Sequence, residues 1–339
     1  MTKNFLILLL AVATGLLGGP GRAERSAPLK LAQVIPLPDI KDGDFDHFAL
    51  DLPGKRLFLT GETNKSIEVF DLQTNRWIHS IKGVDTPHSM LFLPDANQLL
   101  VVDGGDGTLK CFDAAKYTVI DTIKLELAAD SSAYDPAKHL LYVASGGEDA
   151  NMDHTTINVV DTSAHKRVAD ISVDSKNIEA MALEQNGPRL YVNIRDRGLV
   201  GVVDRDQKKV LSTWTLDGLQ GNTPIALDER NHRLFIVSRK PAKLLVLDSE
   251  SGKVITSLPS APMADDMVFD PASRRIYVAC DGFVSIFHQQ DADHYDEIAR
   301  VATTYRAKTA ILVPEMSRYY VAAPRHGQKV AEVRVYDVR

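Results

Sequence analysis

Thr86 to Leu125 reads TPHSMLFLPDANQLLVVDGGDGTLKCFDAAKYTVIDTIKL, and this stretch decides the fold of the 339-residue chain. It contains four short apolar runs, which are separated by turn-forming residues such as Pro94, Asp95 and Gly107. β-Branched and aromatic residues suit strands, whereas Pro, Gly, Asn and Asp suit tight turns. We therefore expect four antiparallel strands in this stretch.

The same unit recurs along the whole chain, and its most regular mark is an Asp that ends a short apolar strand. The marked strands are IEVFD ending at Asp71, LKCFD at Asp113, INVVD at Asp161, VGVVD at Asp204, LLVLD at Asp248 and VRVYD at Asp337. VSIFH fits between the last two, with His288 in the Asp position. The apolar runs are too short for a helical solenoid, which needs a 3.6-residue period over ten or more residues. The repeat predicts an all-β fold, a seven-bladed β-propeller of four-stranded antiparallel blades.

The two ends of the repeat array predict how the ring closes. The last unit reaches Arg339 directly after its third strand, and an additional strand, Leu31–Leu37, precedes the first unit. We expect this N-terminal strand to complete the last blade, because a closed ring has no exposed sheet edges.

The first 23 residues have the pattern of a signal peptide. Lys3 is followed by an apolar run from Phe5 to Leu17 and by Gly21-Arg22-Ala23, a small-x-small cleavage site. That run is shorter than the roughly 20 residues that a membrane-spanning helix needs. The sequence therefore predicts cleavage after residue 23, a single propeller domain over 24–339 with no membrane span, and a secreted or periplasmic location.

Charge and cysteine content exclude other classes. The formal net charge is −6, and removal of the leader takes away two more basic residues, so nucleic acid is not an expected partner. Cys111 and Cys280 fall on well-separated blades of the predicted ring. They are too few for a disulfide scaffold, and we interpret both as buried apolar residues.

The repeat resembles that of the YVTN-repeat, or YncE-like, β-propeller proteins, in which a Pro-Asp-Gly-Lys-Arg turn precedes Leu-Tyr-Val and a Val-Ile-Asp strand. Thr86–Leu125 is the copy most similar to that pattern, and the resemblance covers nearly all of the chain after the leader. It implies the propeller fold. It leaves the activity open, because such propellers serve as binding proteins, surface-layer components, lactone hydrolases and dehydrogenase subunits.

Candidate site residues are those whose register places them at one end of the central channel. Loops that enter the inner strands and loops that join second to third strands open on the same face of a propeller. The residues predicted to bind a ligand there are His47, His88, Glu179, Asp265, Asp266, Lys308, Arg195, Arg239 and Arg325.

Imidazole and carboxylate groups at this face are the ligand types that bind divalent metal ions. His47, His88 and Glu179 are the predicted ligands of a divalent metal ion, although their spacing matches no recognised metal motif. The alternative is that these groups hydrogen-bond backbone and channel water. No haem, nucleotide or quinone motif is present in the sequence.

The third unit departs from the repeat by a longer loop, SGGEDANMDHTT from Ser145 to Thr156. Such an insertion is either drift in a tolerant loop or a place where a function was added. The leading hypothesis is an exported binding or scaffold protein that presents its channel face to a small molecule, a peptide or an envelope protein. The alternative is a metal-assisted hydrolase of a lactone or similar ester.

Overall fold

The computed structural model describes residues 27–41 and 43–339, which form seven four-stranded antiparallel sheets. Each sheet is one blade, and the first strands of successive blades contact one another around a central channel. The predicted seven-bladed β-propeller is therefore confirmed. The predicted leader over 1–23 lies outside the described residues. Within the described ranges, no helix is long and apolar enough to cross a membrane.

The strands follow the order of the repeat, and β1 (Leu29–Leu37) precedes the first blade. Blade 1 contains β2 (Phe45–Asp51), β3 (Arg56–Gly61), β4 (Ser66–Asp71) and β5 (Arg76–Ile81). Blade 2 contains β6 (Pro87–Leu93), β7 (Gln98–Asp103), β8 (Thr108–Asp113) and β9 (Thr118–Lys124). Blade 3 contains β10 (Ser132–Asp135), β11 (Leu140–Gly146), β12 (Thr155–Asp161) and β13 (Lys166–Val173).

The remaining blades repeat this arrangement. Blade 4 contains β14 (Ile178–Leu183), β15 (Arg189–Ile194), β16 (Leu199–Asp204) and β17 (Lys209–Thr215). Blade 5 contains β18 (Gln220–Asp228), β19 (Arg233–Lys240), β20 (Ala242–Asp248) and β21 (Val254–Pro259). Blade 6 contains β22 (Asp266–Asp270), β23 (Arg275–Cys280), β24 (Phe283–Gln289) and β25 (Tyr295–Ala302). Blade 7 contains β26 (Thr309–Val313), β27 (Arg318–Ala323), β28 (Ala331–Val338) and β1.

Blade 7 closes the ring as the sequence predicts. β1 pairs antiparallel with β28, from Leu29 opposite Val338 to Leu37 opposite Ala331. The N-terminal strand therefore supplies the outermost strand of the last blade, and the predicted closure is confirmed.

The hydrophobic core consists of seven clusters, each between two neighbouring blades. Successive residues of a second strand point to opposite sides of its sheet. Leu57 packs in the cluster between blades 7 and 1, whereas Phe58 packs between blades 1 and 2. Both faces of a second strand are thus buried, which explains the continuous apolar runs of the repeat. Cys111 and Cys280 are buried and free, as expected.

The recurring Asp fixes the turn that follows the third strand in blades 1 to 5. Asp248 Oδ1 accepts hydrogen bonds from the backbone N–H of Ser251 at 2.9 Å and of Glu250 at 3.2 Å, and from the Ser251 hydroxyl at 2.7 Å. Equivalent carboxylates accept backbone N–H groups at Asp71, Asp113, Asp161 and Asp204. The mark of the repeat is therefore structural: it satisfies turn donors that no strand can pair.

Blade 6 lacks this Asp and uses another residue for the same purpose. His288 occupies the Asp position, opposite Arg275. Asp291, three residues later, accepts hydrogen bonds from the backbone N–H groups of Asp293 at 2.9 Å and His294 at 3.0 Å. The turn keeps its acceptor although the repeat pattern is lost.

Candidate functional site

Charged side chains from most blades collect where the inner strands begin. These residues form what we call the channel mouth: Asp46, His47, His88, Asp130, Glu179, Asp265, Asp266 and Lys308, with Glu62, Arg195 and Arg239 beside them. Side-chain contacts link one blade to the next around this opening. The structure shows which of these groups meet there.

Irregular strand pairing marks several of these positions. The register between β2 and β3 shifts between Phe45 and Phe48, which brackets Asp46 and His47. The pairing of β6 with β7 shifts between Pro87 and Met90, and that of β14 with β15 shifts between Ile178 and Met181. Such bulges re-aim side chains next to functional sites.

His88 lies between two carboxylates from the neighbouring blades. Its Nδ1 is 2.8 Å from Asp46 Oδ2 of blade 1 and 3.5 Å from Asp130 Oδ1, which precedes blade 3. One donor atom from each of these three residues lies within 4.8 Å of the other two, a spacing that could hold a metal ion. Asp46 and Asp130 were not among the residues predicted from the sequence.

The imidazole of His88 is held in place by a glycine. A Cβ atom on Gly104 would lie 2.9 Å from His88 Cδ2 and 3.0 Å from His88 Nε2, closer than real Cβ contacts allow. Gly104 N–H also donates to the Thr86 carbonyl at 2.9 Å. Glycine at position 104, directly after β7, is therefore needed to leave room for the ring.

His47 has different neighbours. Its Nδ1 lies 3.6 Å from Asp266 Oδ1 of blade 6, and its Nε2 lies 3.9 Å from Asp46 Oδ2. The Asp266 carboxylate also accepts the N–H of Ala310 at 2.8 Å. His47 therefore links the carboxylates of blades 1 and 6 across the mouth.

The other two carboxylates of the mouth are paired with basic groups. Glu179 accepts a hydrogen bond from Arg195 of its own blade. Asp265 pairs with both Lys308 and Arg239. Of the metal ligands predicted from the sequence, His47, His88 and Glu179, the structure places only His88 in the cluster that could hold an ion, because Asp266 and Arg195 occupy the other two.

The pKa values of the two histidines are raised. Burial disfavours protonated His88, but its hydrogen bond to Asp46 and the charge of Asp130 outweigh burial and raise its pKa to about 9. Burial likewise opposes protonation of His47, yet Asp46 and Asp266 hold its pKa well above the ordinary value.

The carboxylates divide into two groups. Burial works against ionised Asp46, but His47 and His88 outweigh it and keep its pKa far below the ordinary range. Burial and the charge of Asp130 raise the pKa of Glu179 to about 7, despite Arg195. Burial and Asp46 raise the pKa of Asp130 as well. The cations of the mouth therefore do not fully offset the burial and mutual repulsion of its carboxylates.

Two cavities of similar size open beside the mouth. One, of about 470 Å³, is lined by Glu62, His88, Asp130 and Asp149; we call it the acidic cavity. The second, of about 460 Å³, is lined by Arg195, Arg239 and Lys240, together with the carboxylates of Glu148 and Asp196; we call it the basic cavity.

The long loop of the third unit separates these cavities. Its 3₁₀ turn, Glu148–Ala150, presents Asp149 to the acidic cavity and Glu148 to the basic one. Glu148 N–H donates to the Lys176 carbonyl at 2.8 Å. Gly147 has a φ of 76°, and a Cβ there would lie 2.4 Å from the Lys176 carbonyl oxygen. The insertion singled out in the sequence is thus a wall of the candidate site.

Arg325, predicted at the channel face, serves the backbone instead. Its guanidinium donates to the carbonyl oxygens of Pro38 at 2.7 Å and Ile40 at 3.1 Å. It therefore anchors the segment that leads from β1 into blade 1.

Comparison with known proteins gives a consistent picture of the fold. No family model matches the chain. It is 26% identical to the uncharacterized protein YncE of Salmonella typhimurium strain LT2 over 208 residues, 60% of this chain and 56% of that protein. It is 30% identical to the uncharacterized protein YncE of Escherichia coli K12 over 140 residues, 40% of this chain and 38% of that protein. The chain is a YncE-like β-propeller. The match spans little more than half the length of the Salmonella relative.

Solved structures support the fold alone. A chain of the Kuenenia stuttgartiensis hydrazine synthase matches with a TM-score of 0.73 and 16% identity over 91% of this chain and 96% of that one. A chain of the mitotic checkpoint complex matches with a TM-score of 0.76 and 15% identity over 99% of both. At this identity, likeness of fold carries no activity.

Proposed function

We propose that this propeller is an exported binding protein that captures a small molecule bearing both a positive and a negative group at the channel mouth. The observation that carries this proposal is a pair of adjacent cavities on either side of Glu148–Ala150, one rich in carboxylates and the other holding Arg195, Arg239 and Lys240. The leader predicted over residues 1–23 supports export.

The acidic cavity suits the cationic end of such a ligand. Glu62, Asp130 and Asp149 line it, and burial together with neighbouring charges raises the pKa values of Glu62 and Asp130. A bound ammonium group would relieve the repulsion between these carboxylates, because an opposite charge nearby favours the ionised form.

The basic cavity suits the anionic end. Arg195 and Arg239 are already paired with Glu179 and Asp265, whereas Lys240 is exposed at the rim. A carboxylate on a ligand would bind Lys240 and share the fork-shaped donors of the arginines. The two cavities together select a molecule whose charges are separated by the width of the loop.

A matched set of probes tests this proposal. In thermal-shift measurements 6-aminohexanoate carries both charges, hexylamine only the positive and hexanoate only the negative. We expect 6-aminohexanoate to stabilise the protein most, since ligand binding to the folded state raises its melting temperature. Asp149→Asn and Lys240→Gln should each reduce that shift to the level of a single-charge probe.

The controls are residues of the same type away from the channel face. Asp95→Asn and Lys253→Gln remove exposed charges in turns elsewhere on the ring and should leave the shift unchanged. Equal shifts from all three probes, or no shift from any, would overturn the proposal. If the ligand is instead an envelope protein or peptide, that partner should bind saturably, and Asp149→Asn should not weaken its binding.

Metal-assisted hydrolysis of a lactone or ester is the second candidate function. The observation that favours it is the grouping of donor atoms from Asp46, His88 and Asp130 beside the acidic cavity. A metal ion there would activate water for attack on the carbonyl. Turnover of a γ-lactone that is lost on chelation and restored by added metal would support this function; metal-independent turnover would exclude it.

A further inference from the structure

We propose that Asp46, His88 and Asp130 form a binding site for one divalent transition-metal ion. This site goes beyond the proposed capture of a charged organic molecule, because an ion would bind here without any such ligand. The three donors come from three consecutive blades, so the ring itself brings them together.

The donor atoms lie within 4.8 Å of one another, close enough for side-chain rotations to bring them to the spacing that an ion of this class requires. Metal–ligand distances of about 2.0–2.2 Å at tetrahedral angles place ligand atoms roughly 3.3–3.6 Å apart. His88 Nδ1 lies 2.8 Å from Asp46 Oδ2 and 3.5 Å from Asp130 Oδ1. Small side-chain rotations therefore suffice to place all three around one ion.

The environment fixes which nitrogen of His88 is available. Nδ1 faces the carboxylates, whereas the Cδ2–Nε2 edge of the ring lies beside Gly104, which has no Cβ atom. In the described part of the chain, the basic groups paired with Asp46 and Asp130 are histidines rather than lysines or arginines. No permanently charged side chain thus competes with a metal ion for these oxygens in contact geometry.

The site leaves coordination positions open toward solvent. His88 and Asp130 line the acidic cavity of about 470 Å³, where Glu62 and Asp149 add negative charge. Three protein ligands with an open position are typical of metal sites that exchange water or bind a ligand, rather than of closed structural sites. One imidazole with two carboxylates favours Zn²⁺, Mn²⁺ or Co²⁺ over soft Cu(I).

Titration of the metal-free full-length protein with Co²⁺ tests this site directly. We expect one ion per chain and a change in the visible absorption of Co²⁺, which reports its ligand geometry. His88→Gln and Asp130→Asn should each weaken binding at least about tenfold, by loss of a ligand. His154→Gln is the matched control, because His154 lies on the same face against Asp153, outside the cluster.

Two results of the Co²⁺ titration would overturn the metal site. If the cluster is only an ion pair, the wild-type protein binds no stoichiometric Co²⁺, or binds it without a spectral change, and the proposal is overturned. Equal affinity in wild type and in folded His88→Gln, checked by circular dichroism, overturns it as well. No organic probe is present, so a protein that binds Co²⁺ but not 6-aminohexanoate keeps the metal site and loses the proposed capture function.

Discussion

The two ends of the propeller treat the same carboxylate group in opposite ways. In the turns after the third strands, backbone N–H groups and the Thr74 or Ser251 hydroxyl lower the pKa values of Asp71 and Asp248. At the channel mouth, burial and like charges raise the pKa values of Asp130 and Glu179. Carboxylates in these turns are satisfied by local hydrogen bonds, whereas Asp130 and Glu179 at the mouth lie where burial and neighbouring charges disfavour their ionised forms.

The largest expected effect lies at the turn end, where blades 3 and 4 share a buried ion pair. Arg205 and Asp135 are almost inaccessible, with side chains 2% and 7% exposed. Asp135→Ala should destabilise the protein by about 3–5 kcal/mol, because it leaves a buried guanidinium without its carboxylate. Chemical denaturation measures the loss.

The control for this change is an ion pair in the same region. Asp206 pairs with Lys138, but these side chains are 62% and 46% exposed. Asp206→Ala should cost under about 1 kcal/mol, as exposed pairs do. Equal losses for the two variants would show that burial does not set the strength of the structural carboxylates.

The next effect concerns the mouth and depends on pH. The pKa of Glu179 is raised to about 7 in the folded protein, so the stability that its protonated form contributes is present below the unfolded pKa and is lost as pH rises through about 7. Glu179→Gln should therefore be close to wild type at pH 5 and more stable at pH 8, by on the order of 2 kcal/mol. Paired denaturation curves at the two pH values measure this difference, and a constant difference would contradict the account.

A smaller effect is expected for a single turn carboxylate. Asp248→Ala removes the acceptor of the Ser251 and Glu250 N–H groups and should cost about 1 kcal/mol, since these donors turn to water. Its stability loss should change little between pH 5 and pH 8, because the pKa of Asp248 is lowered. If the stability loss of Asp248→Ala changed strongly between pH 5 and pH 8, the turn carboxylates would not differ from those at the mouth.

The smallest effect is expected where the repeat pattern fails. Restoring the repeat with His288→Asp should change the stability by less than about 0.5 kcal/mol, because Asp291 already accepts the turn donors of blade 6. A gain as large as the loss from Asp248→Ala would mean that Asp291 does not substitute for the missing Asp.

The sequence predicted the ring far better than the site. Apolar runs and turn residues depend on local chemistry, so the blades and the closure by β1 could be predicted from patterns such as IEVFD and LLVLD. The functional residues depend on which side chain points into the mouth. Side chains of a regular strand alternate in direction, but register shifts at Phe45–Phe48 and Ile178–Met181 break this alternation. The direction of the side chains there could therefore not be predicted from the sequence.

The missed residues show the limit concretely. Asp46 directly precedes His47, which the sequence did select, and Asp130 lies two residues before β10 begins. Their contacts with His88 are made between neighbouring blades. Such contacts cannot be predicted from the pattern within a single repeat. The lengthened loop over residues 145–156 was a local departure from the repeat, and the structure places its residues Glu148 and Asp149 in the walls of the two cavities.

Carboxyl ¹³C NMR titration of protein labelled at Asp and Glu side chains tests the difference between the two ends most directly. Signals are assigned by their absence in Glu179→Gln and Asp71→Asn. We expect the Glu179 signal to titrate near pH 7, whereas that of Asp71 should titrate below the ordinary range of aspartate. Titration of both groups between pH 4 and pH 5 would contradict this expectation, because Glu179 would then ionise as readily as an exposed carboxyl group.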